Sequence, residues 1–136
     1  MSIYVVEDDA DVAHSIRFML STLKLECTTF STGTEFLDCV SGLSPGCILL
    51  DVRLPDTDGV KVQEELMRRQ IDWPVIFMTG EAGVSTIVKA IKAGAVEFLI
   101  KPFSDKDLLS ALQAGQARLQ ELRGVSQPAP VAASRR

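Results

Sequence analysis

One histidine, one tryptophan, one tyrosine and three cysteines are all that 136 residues supply of those types, and each scarcity closes a route. With His14 alone and Cys27, Cys39 and Cys47 at spacings no zinc ligand set uses, the chain offers no zinc site. An odd number of unpatterned cysteines reads as reduced, buried thiols in a cytosolic protein. No apolar run approaches the roughly 20 residues of a membrane-spanning helix. The acids Glu7-Asp8-Asp9 stand where the apolar core of a secretory signal would have to be. Basic residues are the minority, 14 against 18 acidic for a formal net charge of −4, which disfavours nonspecific nucleic-acid binding. What the chain does have is 46% hydrophobic residues, ordinary for a globular domain. At this length roughly two-thirds of the unfolded surface can be buried without a disulfide or structural metal. The charge is uneven: residues 1–60 carry 3 basic and 10 acidic side chains, residues 61–136 carry 11 and 8. An acidic first half points to a cation pocket or an acidic surface, and position decides between them.

The hydrophobic period switches between strand and helix five times. Ile3-Tyr4-Val5-Val6 is a short run of strand formers, and Val12, Ile16, Met19, Leu20 and Leu23 then fall on one helical stripe over residues 11–24. Residues 26–30 form a weaker, partly polar strand suited to a sheet edge. Ser31-Thr32-Gly33-Thr34 opens a helix that carries Phe36, Leu37 and Val40. Cys47-Ile48-Leu49-Leu50 is continuously apolar, the pattern of a strand covered on both faces. A turn-rich stretch, residues 53–59, leads to a helix with Val62, Leu66 and Met67. A strand at 75–78 precedes a helix striped by Ile87, Val88 and Ile91; a strand at 96–100 precedes one marked by Leu108, Leu112, Leu119 and Leu122. Such alternation predicts an α/β domain of five βα units, a parallel sheet between helical layers, over residues 1–123. Residues 124–136 lose the amphipathic period and read as a flexible tail or the stump of an interdomain linker.

In an open parallel sheet, ligands bind beyond the carboxyl ends of the strands, near the reversal of strand order. At those ends stand Glu7, Asp8 and Asp9 after the first strand, Asp51 after the third, Thr79-Gly80 after the fourth and Lys101-Pro102 after the fifth. Carboxylates crowded together repel unless a cation sits among them. A hard, oxygen-loving ion such as Mg2+ suits, because it takes only a couple of carboxylates and keeps room for phosphate oxygens and water.

These residues, in this order, resemble the receiver domains of bacterial two-component response regulators, from residue 3 to about residue 122. The likeness rests on the acidic pair Glu7-Asp8, on Asp51, and on Pro55-Asp56-x-x-Gly59. It continues through Thr79-Gly80, Lys-Ala-Gly-Ala at 92–95 and Lys101-Pro102-Phe103. Each motif alone is short; together, each at its own strand end, they are specific. The wording around Thr79-Gly80 and residues 92–103 is closest to the nitrogen-fixation (FixJ) type.

The resemblance implies a flavodoxin-like doubly wound fold with strand order 2-1-3-4-5, and a phosphorylation-activated switch in the cytoplasm with no membrane contact. Asp51 would accept a phosphoryl group from the phosphohistidine of a sensor histidine kinase or phosphotransfer protein. Asp8 and Asp51 would hold Mg2+, or Mn2+ in its place, with Glu7 acting through a water and Arg53 through its backbone carbonyl. Lys101 would pair with one phosphoryl oxygen and the Thr79 hydroxyl with another, while Gly80 leaves the donor's approach clear. Lys101-Pro102 would be a cis peptide. Phosphorylation would draw Thr79 inward and let Phe98 follow, changing the face of the fourth helix, fifth strand and fifth helix. That face would serve a partner, a homodimer formed on phosphorylation, or an attached domain; DNA would be reached only through a domain these residues do not contain. Glu7 stands where an aspartate is common, lengthening the reach to a metal-bound water. Arg53 and Glu81, two residues after Asp51 and Thr79, would pair across the phosphoryl group, hinder the hydrolytic water and prolong its lifetime.

Other residues have structural readings: Asp9 as a helix cap, Asp56 and Asp58 as turn formers, Tyr4 and Phe103 as packing, Trp73 as a cap on the core, His14 as exposed. Two other functions fit less well. A phosphatase of the haloacid-dehalogenase class needs a second aspartate two residues after the nucleophile, and Arg53 there cannot be a general acid. A flavin carrier needs a phosphate-cradling loop after the first strand, where three acids would repel the phosphate. A pseudo-receiver that works without phosphorylation is disfavoured by the intact acceptor, lysine and acidic pair.

Overall fold

In a computed structural model that describes residues 1–80 and 84–122, five strands alternate with five helices. The strands β1 (Ser2–Val6), β2 (Thr28–Phe30), β3 (Gly46–Asp51), β4 (Val75–Thr79) and β5 (Glu97–Ile100) pair in parallel in the order β2-β1-β3-β4-β5. The crossovers carry α1 (Ala10–Thr22), α2 (Gly33–Cys39), α3 (Gly59–Arg68), α4 (Val84–Lys92) and α5 (Asp105–Leu122). This is the expected flavodoxin-like order, reversing at β1 and β3. The register Val6↔Leu50, Asp51↔Met78 and Thr79↔Ile100 brings the residues after each strand onto one edge.

Successive side chains of a strand point to opposite faces, and β3, buried throughout, supplies both cores. Cys47 and Leu49 pack with Ile16 and Leu20 of α1 and Leu108 and Leu112 of α5. Ile48 and Leu50 pack with Phe36 of α2, Val62 and Leu66 of α3 and Ala90 of α4. Tyr4 stacks on Trp73 with ring centroids 5.9 Å apart and donates its hydroxyl to the Ser44 carbonyl at 2.6 Å. Phe103 is buried and His14 exposed, as expected.

The helices start where polar side chains accept their first N–H groups. Asp9 caps α1 by accepting from the Asp11 and Val12 amides, and Asp58 caps α3 by accepting from Lys61 at 2.9 Å. At α2, Thr32 accepts from the Glu35 amide at 3.0 Å while the Glu35 carboxylate accepts from Ser31 at 2.9 Å, a near relative of the capping box. Lys24, at φ 61, turns the chain after α1.

Four expectations need correction, the first being that the thiols are buried: Cys47 is, but Cys39 is exposed and Cys27 half-buried. β2 spans only Thr28–Phe30; as an edge strand it has one neighbour to extend it, and Glu26 and Cys27 stay outside. Met67 is exposed although Val62 and Leu66 are buried, because consecutive helical positions diverge by about 100° and Leu66 already faces the sheet. Val88 and Ile91 are also exposed, and Ala90 is the α4 residue seated against the core. Ile100 of β5 and Leu109 of α5 are exposed as well. The side chains of Ile87 and Leu122 lie outside those described.

Burial pushes the Cys47 thiol from 9.0 up to about 12. At neutral pH it holds on the order of a thousandfold less thiolate than an ordinary cysteine, so a thiol reagent should label exposed Cys39 quickly and leave Cys47 intact until the protein unfolds. Rapid labelling of Cys47 in native protein would contradict its burial. The unfolded thiol ionises first, so the stability present below about pH 9 should be lost as pH climbs toward 12, and Cys47→Ala should lessen that loss.

Candidate functional site

Asp51 ends β3 with only 5% of its surface exposed. One carboxylate oxygen, Oδ1, accepts the Arg53 amide at 3.0 Å, and the other, Oδ2, accepts Lys101 Nζ at 2.8 Å. Glu7, 3% exposed, follows β1 and is fixed by its own amide donating to the Phe30 carbonyl at 2.9 Å. Its carboxylate accepts a second bond from Lys101 Nζ and one from the Asp9 amide at 3.1 Å. One ammonium thus joins two buried carboxylates from different strands. Lys101 follows β5 at a cis Lys101-Pro102 peptide and its amide donates to the Thr79 carbonyl at 2.7 Å.

Burial pushes the Glu7 carboxyl up from 4.5 to about 7, opposed by the Lys101 hydrogen bond and reinforced by the neighbouring Asp51. Burial by itself would lower the Lys101 ammonium, but its bonds and charge attraction to Asp51 and Glu7 outweigh it and raise its pKa. The pocket demands positive charge.

Asp8 stands exposed at the mouth, and ligand oxygens of Glu7, Asp8 and Asp51 lie within 4.8 Å of one another. An octahedral ion with bonds of about 2.1 Å separates neighbouring ligands by roughly 3 Å and opposite ones by roughly 4 Å. The donor set, hard oxygens on rigid strand ends with Lys101 in the role of a cation between two of them, therefore fits Mg2+. These groups line a cleft of about 460 Å³ together with Val12, Leu54 and Pro55. Thr79, 2% exposed, and Gly80 form its wall from β4. A Cβ built on Gly80 meets nothing within 4 Å, so open space lies before it.

The strand ends thus bring together Glu7, Asp8, Asp51, Arg53, Thr79, Gly80 and Lys101. Phe98 lies apart, half-buried on β5 against the core that α4 covers. Glu81 lies outside the described residues, and with it the Arg53–Glu81 pair.

The long-range contacts of two polar residues escaped the sequence reading. Asp56, expected to be a turn former alone, reaches across to α2: Oδ1 accepts the Gly33 amide at 3.1 Å, Oδ2 accepts the Thr34 amide at 2.8 Å, and the Thr34 hydroxyl donates to the same oxygen. The Thr34 hydroxyl, with both amides, holds the Asp56 carboxyl below its usual range. Gln63, buried in α3, donates Nε2 to the Ala93 carbonyl at 2.8 Å and ties α3 to the end of α4. Neither partner is near in sequence, so no local signal marks them.

The fold and this site define a class: a flavodoxin-like domain with an acidic, lysine-bridged pocket at the carboxyl edge of its sheet. A sequence profile described as the response regulator receiver domain matches residues 3–113. The transcriptional regulatory protein FixJ of Bradyrhizobium diazoefficiens is 40% identical over 111 residues, which are 82% of this chain and 54% of that protein. The response regulator protein TmoT of Ectopseudomonas mendocina is likewise 40% identical, over 82% of this chain and 50% of its own. Crystal structures of full-length FixJ from B. japonicum superimpose with a TM-score of 0.83 at 36% identity, covering 90% of this chain and 60% of that one. The chain belongs to the response regulator receiver family, whose members are signalling switches, and is of the FixJ type. It spans about half the length of the curated relatives it matches.

Proposed function

We propose that the domain takes a phosphoryl group onto Asp51 from a phosphohistidine of a sensor histidine kinase or phosphotransfer protein. The observation that carries this reading is the Lys101 ammonium held between buried Asp51 and Glu7. A carboxylate oxygen of Asp51 attacks phosphorus as the P–N bond of the donor breaks and its electron pair stays on the imidazole. Transfer of this kind needs alignment and charge neutralisation more than covalent participation. Lys101 pairs with one phosphoryl oxygen and the Thr79 hydroxyl with a second; Gly80 leaves the line of approach open. Asp8, Asp51 and the Arg53 carbonyl would hold Mg2+ or Mn2+, with Glu7 acting through a water. The ion supplies charge that offsets the negative charge on the transferred group.

Phosphorylation adds nearly two negative charges at Asp51. Thr79 is drawn toward them, Phe98 follows, and the face of α4, β5 and α5, on which Val88, Ile91, Ile100 and Leu109 are exposed, is the surface whose contacts change. Its occupant is a second copy of the domain or another protein. By likeness to the transcriptional regulatory protein FixJ, the switch acts in the cytoplasm to control a partner or an attached DNA-binding domain, and so transcription. No described helix is long and apolar enough to cross a membrane.

The test is intact mass after incubation with acetyl phosphate, once with Mg2+ and once with a chelator. One phosphoryl adduct with the metal and none without it is the expected result; an adduct indifferent to the chelator would remove the metal from the reaction. Arg53, exposed beside the acceptor, is proposed to slow loss of the group. Arg53→Asn should then dephosphorylate several-fold faster, on the order of 1 kcal/mol, and an unchanged decay rate would discard that role.

A further inference from the structure

We infer that Asp56 is a positioning residue for this site: by gripping the start of α2 it holds the loop 52–58 so that the Arg53 peptide stays beside Asp51. The inference rests on the function proposed above. The loop closes on itself where it leaves β3 and enters α3. The Gly59 amide donates to the Val52 carbonyl at 2.7 Å, Arg53 and Asp58 form an antiparallel bridge, and the Leu54 amide donates to Thr57 at 3.2 Å. Those bonds fix the loop's shape, and the Val52 amide, donating to the Met78 carbonyl at 2.9 Å, ties its first residue to β4, while Leu54 packs against the core beneath.

Asp56, at the tip, supplies the sideways hold through three bonds from Gly33 and Thr34. Bonds to an ionised carboxylate are about twice as strong as neutral ones. The surfaces beneath are flush: a Cβ added to Gly33 would stand 2.7 Å from the Thr57 methyl and 3.4 Å from Leu54 Cδ1. Three residues back along the same loop, the Arg53 amide donates to Asp51 Oδ1 at 3.0 Å. Tilting the tip away from α2 displaces that peptide, and with it both the donor to Asp51 and the carbonyl proposed for the ion. Asp56 is solvent-exposed, so it adds no core packing and acts through these bonds.

A helix cap without influence on the site would also be lost in Asp56→Ala, and metal affinity separates the two roles. Partners that orient a metal's ligands are commonly worth 10- to 100-fold in affinity or activity. Asp56→Ala should raise the Mg2+ dissociation constant, measured by calorimetry, about tenfold. It should raise the Mg2+ concentration for half-maximal phosphorylation by the same factor, with a much smaller change at saturating Mg2+. Asp56→Asn, which keeps one carbonyl acceptor, should fall between. Thr34→Val removes only the hydroxyl and preserves the test should Asp56→Ala fail to fold; it should weaken Mg2+ about threefold, part of one hydrogen bond's worth. A Mg2+ constant unchanged in a folded Asp56→Ala, or in Thr34→Val if the first does not fold, would reduce Asp56 to a helix cap. The wild type in the same phosphorylation assay keeps the two readings apart: no adduct there retires the function of Asp51 together with this role, whereas an adduct with unmoved Mg2+ affinity retires the positioning alone.

Discussion

Asp51→Asn should take up no phosphoryl group from acetyl phosphate with Mg2+, a fall from near-complete modification to background in intact mass. The reason lies in how the three neighbouring carboxylates differ. Glu7 is buried on β1, with its carboxylate accepting from the Lys101 ammonium and the Asp9 amide. Asp8 is exposed and makes no described bond to Lys101. Asp51 shares with Glu7 the Lys101 ammonium and a backbone amide, but it ends β3 beside β4, next to Thr79 and the open space before Gly80. It is thus aimed before a donor arrives, and alignment is the larger part of what this chemistry needs. The asparagine keeps the shape and one acceptor oxygen, so the pocket should fold as before and lose only the nucleophile. A full adduct on the variant would move the acceptor elsewhere.

Lys101→Met should lower the rate of phosphoryl uptake by about 10² to 10³, the usual loss when one preorganised group facing developing charge is removed. Methionine keeps much of the apolar stem and deletes the ammonium. Cation binding should respond in the opposite direction. Lys101 and a divalent ion compete for the same Glu7 and Asp51 oxygens, so losing the ammonium leaves the carboxylates with a stronger demand for external charge. Mg2+ should therefore raise the melting temperature of the variant at least as much as that of wild type. Slow uptake with intact Mg2+ stabilisation marks a defect in chemistry; loss of both would point to a collapsed pocket and would count against the role given to Lys101.

The parts of this fold written most plainly in the sequence are those set by local period and by position along a strand. The continuous apolar run at 47–50 predicts a strand covered on both faces, and β3 is buried at every residue. The acids after the first strand, Asp51 and Lys101 are legible as one site because parallel strands must all end on the same edge. Asp9 as a cap and His14 as an exposed residue follow from the same local logic.

The rest depends on which side of an element meets the sheet, and on contacts between distant segments. The stripe of Val88 and Ile91 is real, yet it faces outward while small Ala90 takes the core position. Period gives the face of a helix and not its azimuth on the sheet. Asp56 and Thr34 are 22 residues apart, Gln63 and Ala93 are 30 apart, and each pairing exists only once the loops are in place. The high pKa of Glu7 comes from burial beside Asp51, which a glutamate at the end of a strand does not announce.

Asp51 as acceptor is tested most directly by chemical mapping. Borohydride reduces the acyl phosphate of an aspartate to homoserine, and peptide sequencing by mass spectrometry then locates it. Wild type phosphorylated in the presence of Mg2+ and reduced in this way should carry homoserine at position 51 and at no other aspartate. Homoserine at Asp8, Asp9, Asp56 or Asp58 with position 51 intact, or phosphate retained on Thr79, would contradict the assignment.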